Sequence, residues 1–151
     1  MLKEKHKELS LKEFFPYQLS ILASQVSEFI AKIYADEFGL NRVEWRIVAS
    51  LGEFEQLSAT EICKLTALEK MQVSRAIGKL RERALLMPQP DLRDGRSQRL
   101  ALTRDGLEVY RQIVPLVLAQ EQQLLAGLSA EEQAALRQIT AKLSTQLRDK
   151  F

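Results

Sequence analysis

A start signal for α-helices recurs along this chain. Tetrads of the form Asn/Ser/Thr-x-x-Glu occur at 41–44, 58–61, 66–69 and 129–132. In such a capping box the first side chain accepts a hydrogen bond from the amide three residues later, and the glutamate side chain accepts one from the first amide. The pattern predicts a mainly α-helical chain in which helices begin near 42, 59, 70 and 130.

An earlier helix is predicted over 16–38, and Gly39 is suited to end it. Its apolar residues have the 3–4 spacing of a helix face, at Leu19, Leu22, Val26, Phe29, Ile30 and Ile33. Within 17–35 the only charged residues are Glu28 and Lys32. A helix about 30 Å long with so little charge is expected to be covered on more than one side. A partner subunit is the simplest cover.

A β-hairpin is predicted between the fourth and fifth helices. Residues 85–88 form a short strand-like segment, and the prolines at 88 and 90 restrict it to the edge of a sheet. The return segment, 98–103, alternates apolar and polar residues, which is typical of a strand. Asp94-Gly95 supplies the turn.

Positive charge is concentrated around this hairpin. Residues 64–104 contain ten Lys/Arg and four acidic residues, a net charge of +6, whereas the whole chain carries +2. The rest of the chain is therefore at −4. Local clustering of this kind favours a polyanion-binding surface, with a solvated charged surface as the ordinary alternative.

The order of a short helix, a tight turn and a charged helix indicates a helix-turn-helix, which presents its second helix to the major groove of DNA. Val73 and Ile77 are expected to face the core. The outward residues have side chains that pair with base edges or phosphates: Lys70, Gln72, Ser74, Arg75 and Lys79. Arg81 and Arg83 continue this basic series.

The hairpin that follows is then interpreted as a wing. Arginines on a narrow tip suit the minor groove, and Gly95 keeps the tip thin. Asp91 and Asp94 would repel phosphate if they were free, so we expect them to hold Arg93, Arg96 or Arg99 in place. The alternative is an ordinary surface hairpin with incidental ion pairs.

Two long helices complete the chain. Thr103 is predicted to cap a fifth helix that runs to about 126. The last helix has a narrow apolar stripe, which fits a helix–helix seam better than a broad core face: Leu136, Ile139, Leu143 and Leu147.

The sequence gives little support to other classes of protein, such as metalloproteins, enzymes or membrane proteins. Cys63 and His6 are the chain's single cysteine and histidine, so we expect no disulfide and no metal site. No phosphate-binding loop, dinucleotide fingerprint or nucleophile elbow is present, so neither a cofactor nor an enzymatic activity is expected. The chain has no apolar run that could span a membrane and no secretory signal, so a cytoplasmic location is expected.

The sequence resembles the MarR (multiple antibiotic resistance regulator) family of winged-helix transcription factors, over about 14–148. The resemblance rests on five segments: VEWRIVASL (43–51), LSATEICKL (57–65), MQVSRAIGKLRERALL (71–86), DLRDGRSQRLALT (91–103) and DGLEVY (105–110). The motifs VSR-x-I-x-x-L, D-x-R-D-x-R and LT-x-x-G in that order make it specific.

The resemblance implies one domain over 1–151, with a winged helix-turn-helix lobe at 41–103. Helices at 14–38 and 104–148 would form a homodimer that binds double-stranded DNA at a pseudo-palindrome. Arg96 takes the wing-tip position, and Arg93 is its neighbour.

Members of this family usually repress nearby genes and release DNA when a small molecule, often an aromatic acid, binds. The resemblance suggests a pocket lined by Tyr17, Ser20, Trp45 and Arg46. Arg46 could hold a carboxylate with two hydrogen bonds. Alternatively, Trp45 belongs to the core and Arg46 pairs with a nearby acid. A winged-helix module that binds a protein partner, without specific DNA binding, is the alternative function.

Overall fold

The computed structural model describes residues 8–90 and 98–150. Within these ranges the chain forms six helices and a three-stranded sheet. The helices are α1 (Phe15–Asp36), α2 (Arg42–Phe54), α3 (Ala59–Thr66), α4 (Lys70–Glu82), α5 (Arg104–Leu125) and α6 (Ala130–Lys150). The strands are β1 (Leu57–Ser58), β2 (Leu86–Pro90) and β3 (Gln98–Leu102). The predicted fold class, mainly α with a small hairpin, is confirmed.

Three of the predicted helix starts form as expected. Asn41 accepts from the Glu44 amide at 2.8 Å, although the Glu44 carboxylate accepts in return from the side-chain amide of Asn41. The Ser58 box is complete, because Ser58 Oγ accepts from the Glu61 amide and Glu61 accepts from the Ser58 amide. The box that begins at Ser129 is complete in the same way.

The predicted cap at Thr66 is wrong. Thr66 is the last residue of α3, and its hydroxyl donates to the Ile62 carbonyl at 2.6 Å. Ala67 then takes a left-handed conformation with φ 54°, which ends the helix. Glu69 is the N-cap of α4, and its amide donates to the Gln72 side chain at 3.3 Å. The 66–69 tetrad therefore contains the end of α3 and the turn before α4, and the N-cap of α4 is Glu69 in place of Thr66.

The sheet is antiparallel, with β3 between β1 and β2. Leu86 lies opposite Leu102, and Leu57 lies opposite Leu100. The prolines of β2 are tolerated because β2 lies at the edge of the sheet, as predicted. The strand β1 was not predicted, since two residues are too few to show an alternating pattern.

The core lies beneath the helix-turn-helix. It contains Ile47, Val48 and Leu51 of α2, Ile62 of α3, Val73, Ala76 and Leu80 of α4, and Leu86 and Leu100 of the sheet. Val73 faces the core, whereas Met71 is 64% exposed. Ala84 is exposed, since it follows the end of α4, and it has φ 55°.

The LT-x-x-G motif has a physical role at the junction between the sheet and α5. The Thr103 hydroxyl accepts from the Gly106 amide at 3.0 Å, which confirms the predicted cap, and donates to the Ala84 carbonyl at 2.6 Å. A Cβ atom on Gly106 would overlap the carbonyl oxygen of Leu85. Only glycine lets α5 begin this close to the chain that leads into β2.

The chain divides into two compact units between Ile113 and Val114, within α5. In the second unit, Arg137 of α6 pairs with Glu121 of α5 at 3.5 Å. The apolar stripe predicted on α6 is solvent-exposed in this single chain, and Leu147 is 60% exposed. Over the part of the chain that the structure describes, no helix is long and apolar enough to cross a membrane.

Candidate nucleic-acid interface

The second helix of the helix-turn-helix separates its residues by polarity. Val73, Ala76 and Leu80 of α4 are buried and hold the helix on the core. The five residues of α4 that were predicted to contact DNA are all exposed: Lys70, Gln72, Ser74, Arg75 and Lys79. The structure therefore presents them on one helix, without burying any of them.

Gln72 has a local role that limits how it can read a base. Its side-chain oxygen accepts from the Glu69 amide at 3.3 Å. Bidentate pairing with adenine uses both the oxygen and the NH2 group of a glutamine side chain. Bidentate pairing would therefore engage the same oxygen that accepts from Glu69, whereas the NH2 group alone can donate without involving that oxygen.

A cavity of about 600 Å³ borders the same helix, between α3, α4 and β3. Val73, Ile77 and Leu100 form its apolar wall, and Lys70 and Arg81 contribute positive charge. Cys63 lies in this wall and is partly buried.

Arg99 anchors the base of the hairpin. Its guanidinium donates to the Gln56 carbonyl at 2.8 Å and lies 3.3 Å from the Glu61 carboxylate. The hydrogen bond from the Ser58 amide, together with the charge of Arg99, holds the pKa of Glu61 below its ordinary value. The Gln56 side chain also donates to Gln89 of β2 at 2.5 Å. These contacts fix β2 and β3 to the start of α3.

The turn of the hairpin lies outside the described residues. Arg93, Arg96, Asp91 and Asp94, all predicted wing residues, fall in 91–97. The strands that lead to it are paired up to Pro90 and Gln98. The roles of these four residues stay predictions.

Arg83 lies in a place that the sequence did not indicate. The basic series along α4 suggested that Arg83 follows Lys79 and Arg81 on the same surface. Instead, its guanidinium donates to the carbonyls of Phe38 and Gly39, at 2.7 and 3.1 Å. Periodicity could not reveal these contacts, because they join residues more than forty positions apart.

The four residues predicted to line a ligand pocket do not all line one cavity in the structure. Trp45 stacks between Tyr34 and Tyr110, with ring centroids 5.6 and 6.4 Å away. Trp45 and Arg46 also border a cavity of about 320 Å³ that extends to α3. Tyr17 and Ser20 are exposed on α1 and are not among the residues that line this cavity.

The aromatic stack lies in a positively charged environment. Burial raises the pKa of Tyr34 above its ordinary value, while Arg42 and Arg46 act in the opposite direction. Tyr34 is 3% exposed. Arginines beside a partly buried aromatic stack are chemically suited to an aromatic anion.

A sequence profile described as the MarR family matches residues 38–97, which contain the helix-turn-helix and the hairpin as far as 97. A MarR/EmrR family transcriptional regulator from Acinetobacter sp. ADP1 has the same fold, with a TM-score of 0.84 and 26% sequence identity. That match covers 93% of this chain and 99% of that chain. The helix-turn-helix and hairpin region therefore matches the MarR family, and the chain has the fold of a MarR/EmrR family transcriptional regulator.

Two further MarR-fold structures are similar. Sco3205, a MarR family regulator from Streptomyces coelicolor solved in complex with DNA, has a TM-score of 0.79 and 21% identity, and the match covers 96% of this chain and 93% of that chain. BpsR from Bordetella bronchiseptica, whose DNA binding is regulated by 6-hydroxynicotinic acid, has a TM-score of 0.71 and 24% identity. That match covers 84% of this chain and 98% of BpsR.

Proposed function

We propose that this MarR-family regulator is a homodimeric repressor that reads a pseudo-palindromic operator with α4 and releases it when a small aromatic acid binds. The observation that carries the proposal is the polarity of α4. Val73, Ala76 and Leu80 are buried, whereas Lys70, Ser74 and Arg75 are exposed on the N-terminal half of the helix. In a helix-turn-helix, the N-terminal residues of the second helix contact the base edges.

The five exposed residues of α4 that were predicted to contact DNA are each assigned a chemical role. Arg75 pairs with guanine or with phosphate, and Lys79 binds phosphate one helical turn later. Ser74 and Lys70 bond phosphates or bases, and Gln72 donates from its NH2 group. Arg93 and Arg96 are assigned to the minor groove, with Asp91 and Asp94 holding them, as the sequence predicts.

The homodimer is supported by apolar side chains that a single chain leaves in water. On α1 and just before it, Phe14, Phe15, Leu19 and Leu22 are each between 44 and 54% exposed. On α6, Leu136, Ile139, Leu143 and Leu147 are between 36 and 60% exposed. Exposed apolar groups of this extent mark an interaction surface, and a second copy offers the same surface.

The domain assignment follows from this dimer. Residues 41–103 form the DNA-binding lobe, and helices within 14–38 and 104–148 form the dimer, in one domain over 1–151. Two lobes related by a two-fold axis require two inverted half-sites, because operator symmetry mirrors protein symmetry.

Release by an aromatic acid is supported by Trp45 and Arg46. Both border the cavity of about 320 Å³, and Arg46 can bind a carboxylate with two parallel hydrogen bonds. BpsR has a similar fold, and its DNA binding is regulated by 6-hydroxynicotinic acid, which is an aromatic acid. Tyr17 and Ser20 are proposed to complete the site from α1.

Duplex binding by matched arginine variants tests the DNA-reading role. We expect Arg75→Ala and Arg96→Ala each to weaken binding to the operator by about 1–3 kcal/mol, measured by fluorescence anisotropy. Arg111→Ala, which removes an exposed arginine from α5, is the control and should bind like the wild type. If the wild type shows no salt-dependent duplex binding at all, the proposal fails and a protein-interaction module replaces it.

The effector role has its own test. Chemically simple aromatic carboxylates are titrated into the protein–operator complex, and the fluorescence of Trp45, the chain's single tryptophan, reports binding. Arg46→Met should bind operator normally and lose the response to carboxylates. A full response in this variant would exclude Arg46 from the site.

A further inference from the structure

Three helix ends meet at one side chain, Arg83, just after the end of α4. Its Nη2 donates to the Phe38 carbonyl at 2.7 Å, and its Nη1 donates to the Gly39 carbonyl at 3.1 Å. Its Nη1 also lies 4.0 Å from Oε2 of Glu44. Phe38 and Gly39 follow α1, and Glu44 is in the first turn of α2. The C-terminal ends of α1 and α4 are therefore linked to the start of α2.

The chemistry of this junction requires an arginine. The Phe38 and Gly39 carbonyls lie just after the C-terminal end of α1, where the partial negative charge of the helix end favours a cation. A guanidinium has a planar fork of donors that reaches two acceptors at once, whereas the ammonium of lysine is a single point of charge. Gly39 has φ 62°, a conformation that favours glycine, at the turn where these carbonyls lie.

Glu44 is the buried acidic partner of Arg83 at this junction. Its side chain is only 7% exposed, and a buried carboxylate is costly unless it is paired. One of its oxygens accepts from the Asn41 side chain at 2.7 Å, and the other faces Arg83. The Arg83 side chain itself is 42% exposed. The junction is thus accessible on one side and anchored on the other.

We propose that Arg83 is a positioning residue that fixes the orientation of α4 relative to α1 and thereby sets the half-site spacing that the dimer accepts. This inference rests on the proposed dimeric DNA-reading function. The residues assigned to base contacts lie at the end of α4 opposite to Arg83. Arg83 therefore acts on DNA only through the orientation of the helix.

Because α4 is long, a small rotation at the Arg83 end produces a large displacement at the end that contacts DNA. The helix has 13 residues, so it is about 20 Å long. A rotation of about 10° at the Arg83 end would move the Lys70 end by about 3.5 Å, which is close to the rise of one base pair. Two such helices, one on each protomer, must match half-sites about one helical turn apart. Loosening either anchor therefore broadens the range of acceptable spacings.

The first test measures spacing preference with the full chain. Duplexes carry the inverted repeat that the protein enriches from a random pool. The spacer between its two half-sites is shortened or lengthened one base pair at a time. The wild type should prefer one spacing by about tenfold, the order of one mismatched base pair. Arg83→Met should reduce this preference about fivefold or more, and Arg83→Lys, which restores one donor group and the charge, should recover part of it.

The matched control is Arg81→Met, which removes an exposed arginine from the same helix. It should keep the spacing preference of the wild type, even if binding weakens at every spacing. Thermal unfolding of all variants separates a loss of fold from a change in orientation. A folded Arg83→Met protein with the spacing preference of the wild type would overturn the proposal.

A second test needs no DNA and so separates this proposal from the proposed function. Spin labels are placed at Lys32 on α1 and Met71 on α4, in a Cys63→Ser background, and the labelled protein is diluted with unlabelled chain. Pulsed electron paramagnetic resonance then gives the distance distribution within one chain. Arg83→Met should broaden or shift it, and Arg83→Lys should give an intermediate result.

An unchanged distance distribution in Arg83→Met would overturn the positioning role, whatever the protein does with DNA. The wild type could bind all duplexes equally while Arg83→Met still changes the distance distribution. In that case the positioning role of Arg83 on α4 stands and the DNA-reading proposal fails.

Discussion

The ring of Tyr110 on α5 lies against α2 at Gly52, where a Cβ atom would overlap the ring. This close approach allows Tyr110 to stack on Trp45, which stacks in turn on Tyr34 of α1. Gly52 therefore makes possible an aromatic stack that joins α1, α2 and α5. Trp45, the middle ring of this stack, also borders the proposed effector site.

Gly52→Ala should destabilise the protein by about 1–3 kcal/mol, because the added methyl group displaces the Tyr110 ring. Urea unfolding measures the change. The control is Gly78→Ala on α4, where a Cβ atom meets nothing within 4 Å. That change should stabilise the helix by roughly 0.5–1 kcal/mol. A Gly52→Ala protein as stable as the wild type would show that the aromatic stack adapts without cost.

Lys79→Ala should weaken binding to all duplexes alike, because Lys79 is assigned to phosphate. The slope of log affinity against log salt should fall in magnitude by about one unit. Lys142→Ala on α6 serves as the control and should leave the slope unchanged, since α6 is assigned to the dimer. A wild-type salt slope in Lys79→Ala would remove this phosphate contact from the account.

Leu143→Asp should dissociate the homodimer, because a charge buried in a helix seam is costly. Analytical ultracentrifugation gives the oligomeric state. Thr145→Asp places the same charge on the opposite side of α6 and should remain a dimer. If Leu143→Asp is as stable a dimer as the control, α6 does not form the interface through this stripe.

Tyr34 should make the fold sensitive to alkaline pH. Burial raises the pKa of Tyr34 in the folded state, whereas a tyrosine in the unfolded chain ionises at about 10. Above that pH the unfolded state releases a proton that the folded state retains. The free energy of unfolding therefore decreases as pH rises from the unfolded pKa toward the folded one.

The measurement compares unfolding free energies between pH 8 and 11. Tyr34→Phe should lose stability less steeply than the wild type over this range. Tyr17→Phe, which removes a phenol that is 46% exposed, should run parallel to the wild type. Parallel curves for all three proteins would mean that Tyr34 does not contribute to the alkaline loss.

Much of the fold could be predicted because its signals are local. The capping boxes at Ser58 and Ser129 and the cap at Thr103 depend on neighbouring residues, and each forms as expected. The prolines of β2 correctly indicated an edge strand. The error at Thr66 has the same origin, because a local tetrad cannot show whether the preceding helix has already ended.

The features that escaped prediction depend on contacts between distant segments. Arg83 was interpreted as part of a basic surface, since only the fold brings it to Phe38 and Gly39. Arg99 likewise has Glu61 as a partner, which only the pairing of β1 with β3 brings near. The tight packing at Gly52 and Gly106 also involves side chains and backbone from other elements.

Selection from a random pool of duplexes tests whether the homodimer reads DNA through α4. It uses the full chain at about 150 mM salt, a concentration at which nonspecific binding is weakened. We expect enrichment of an inverted repeat whose half-sites lie about one helical turn apart, as a two-fold symmetric reader requires. Enrichment of no sequence, or of a single half-site without its inverted partner, would contradict the claim that this regulator reads DNA as a homodimer through α4.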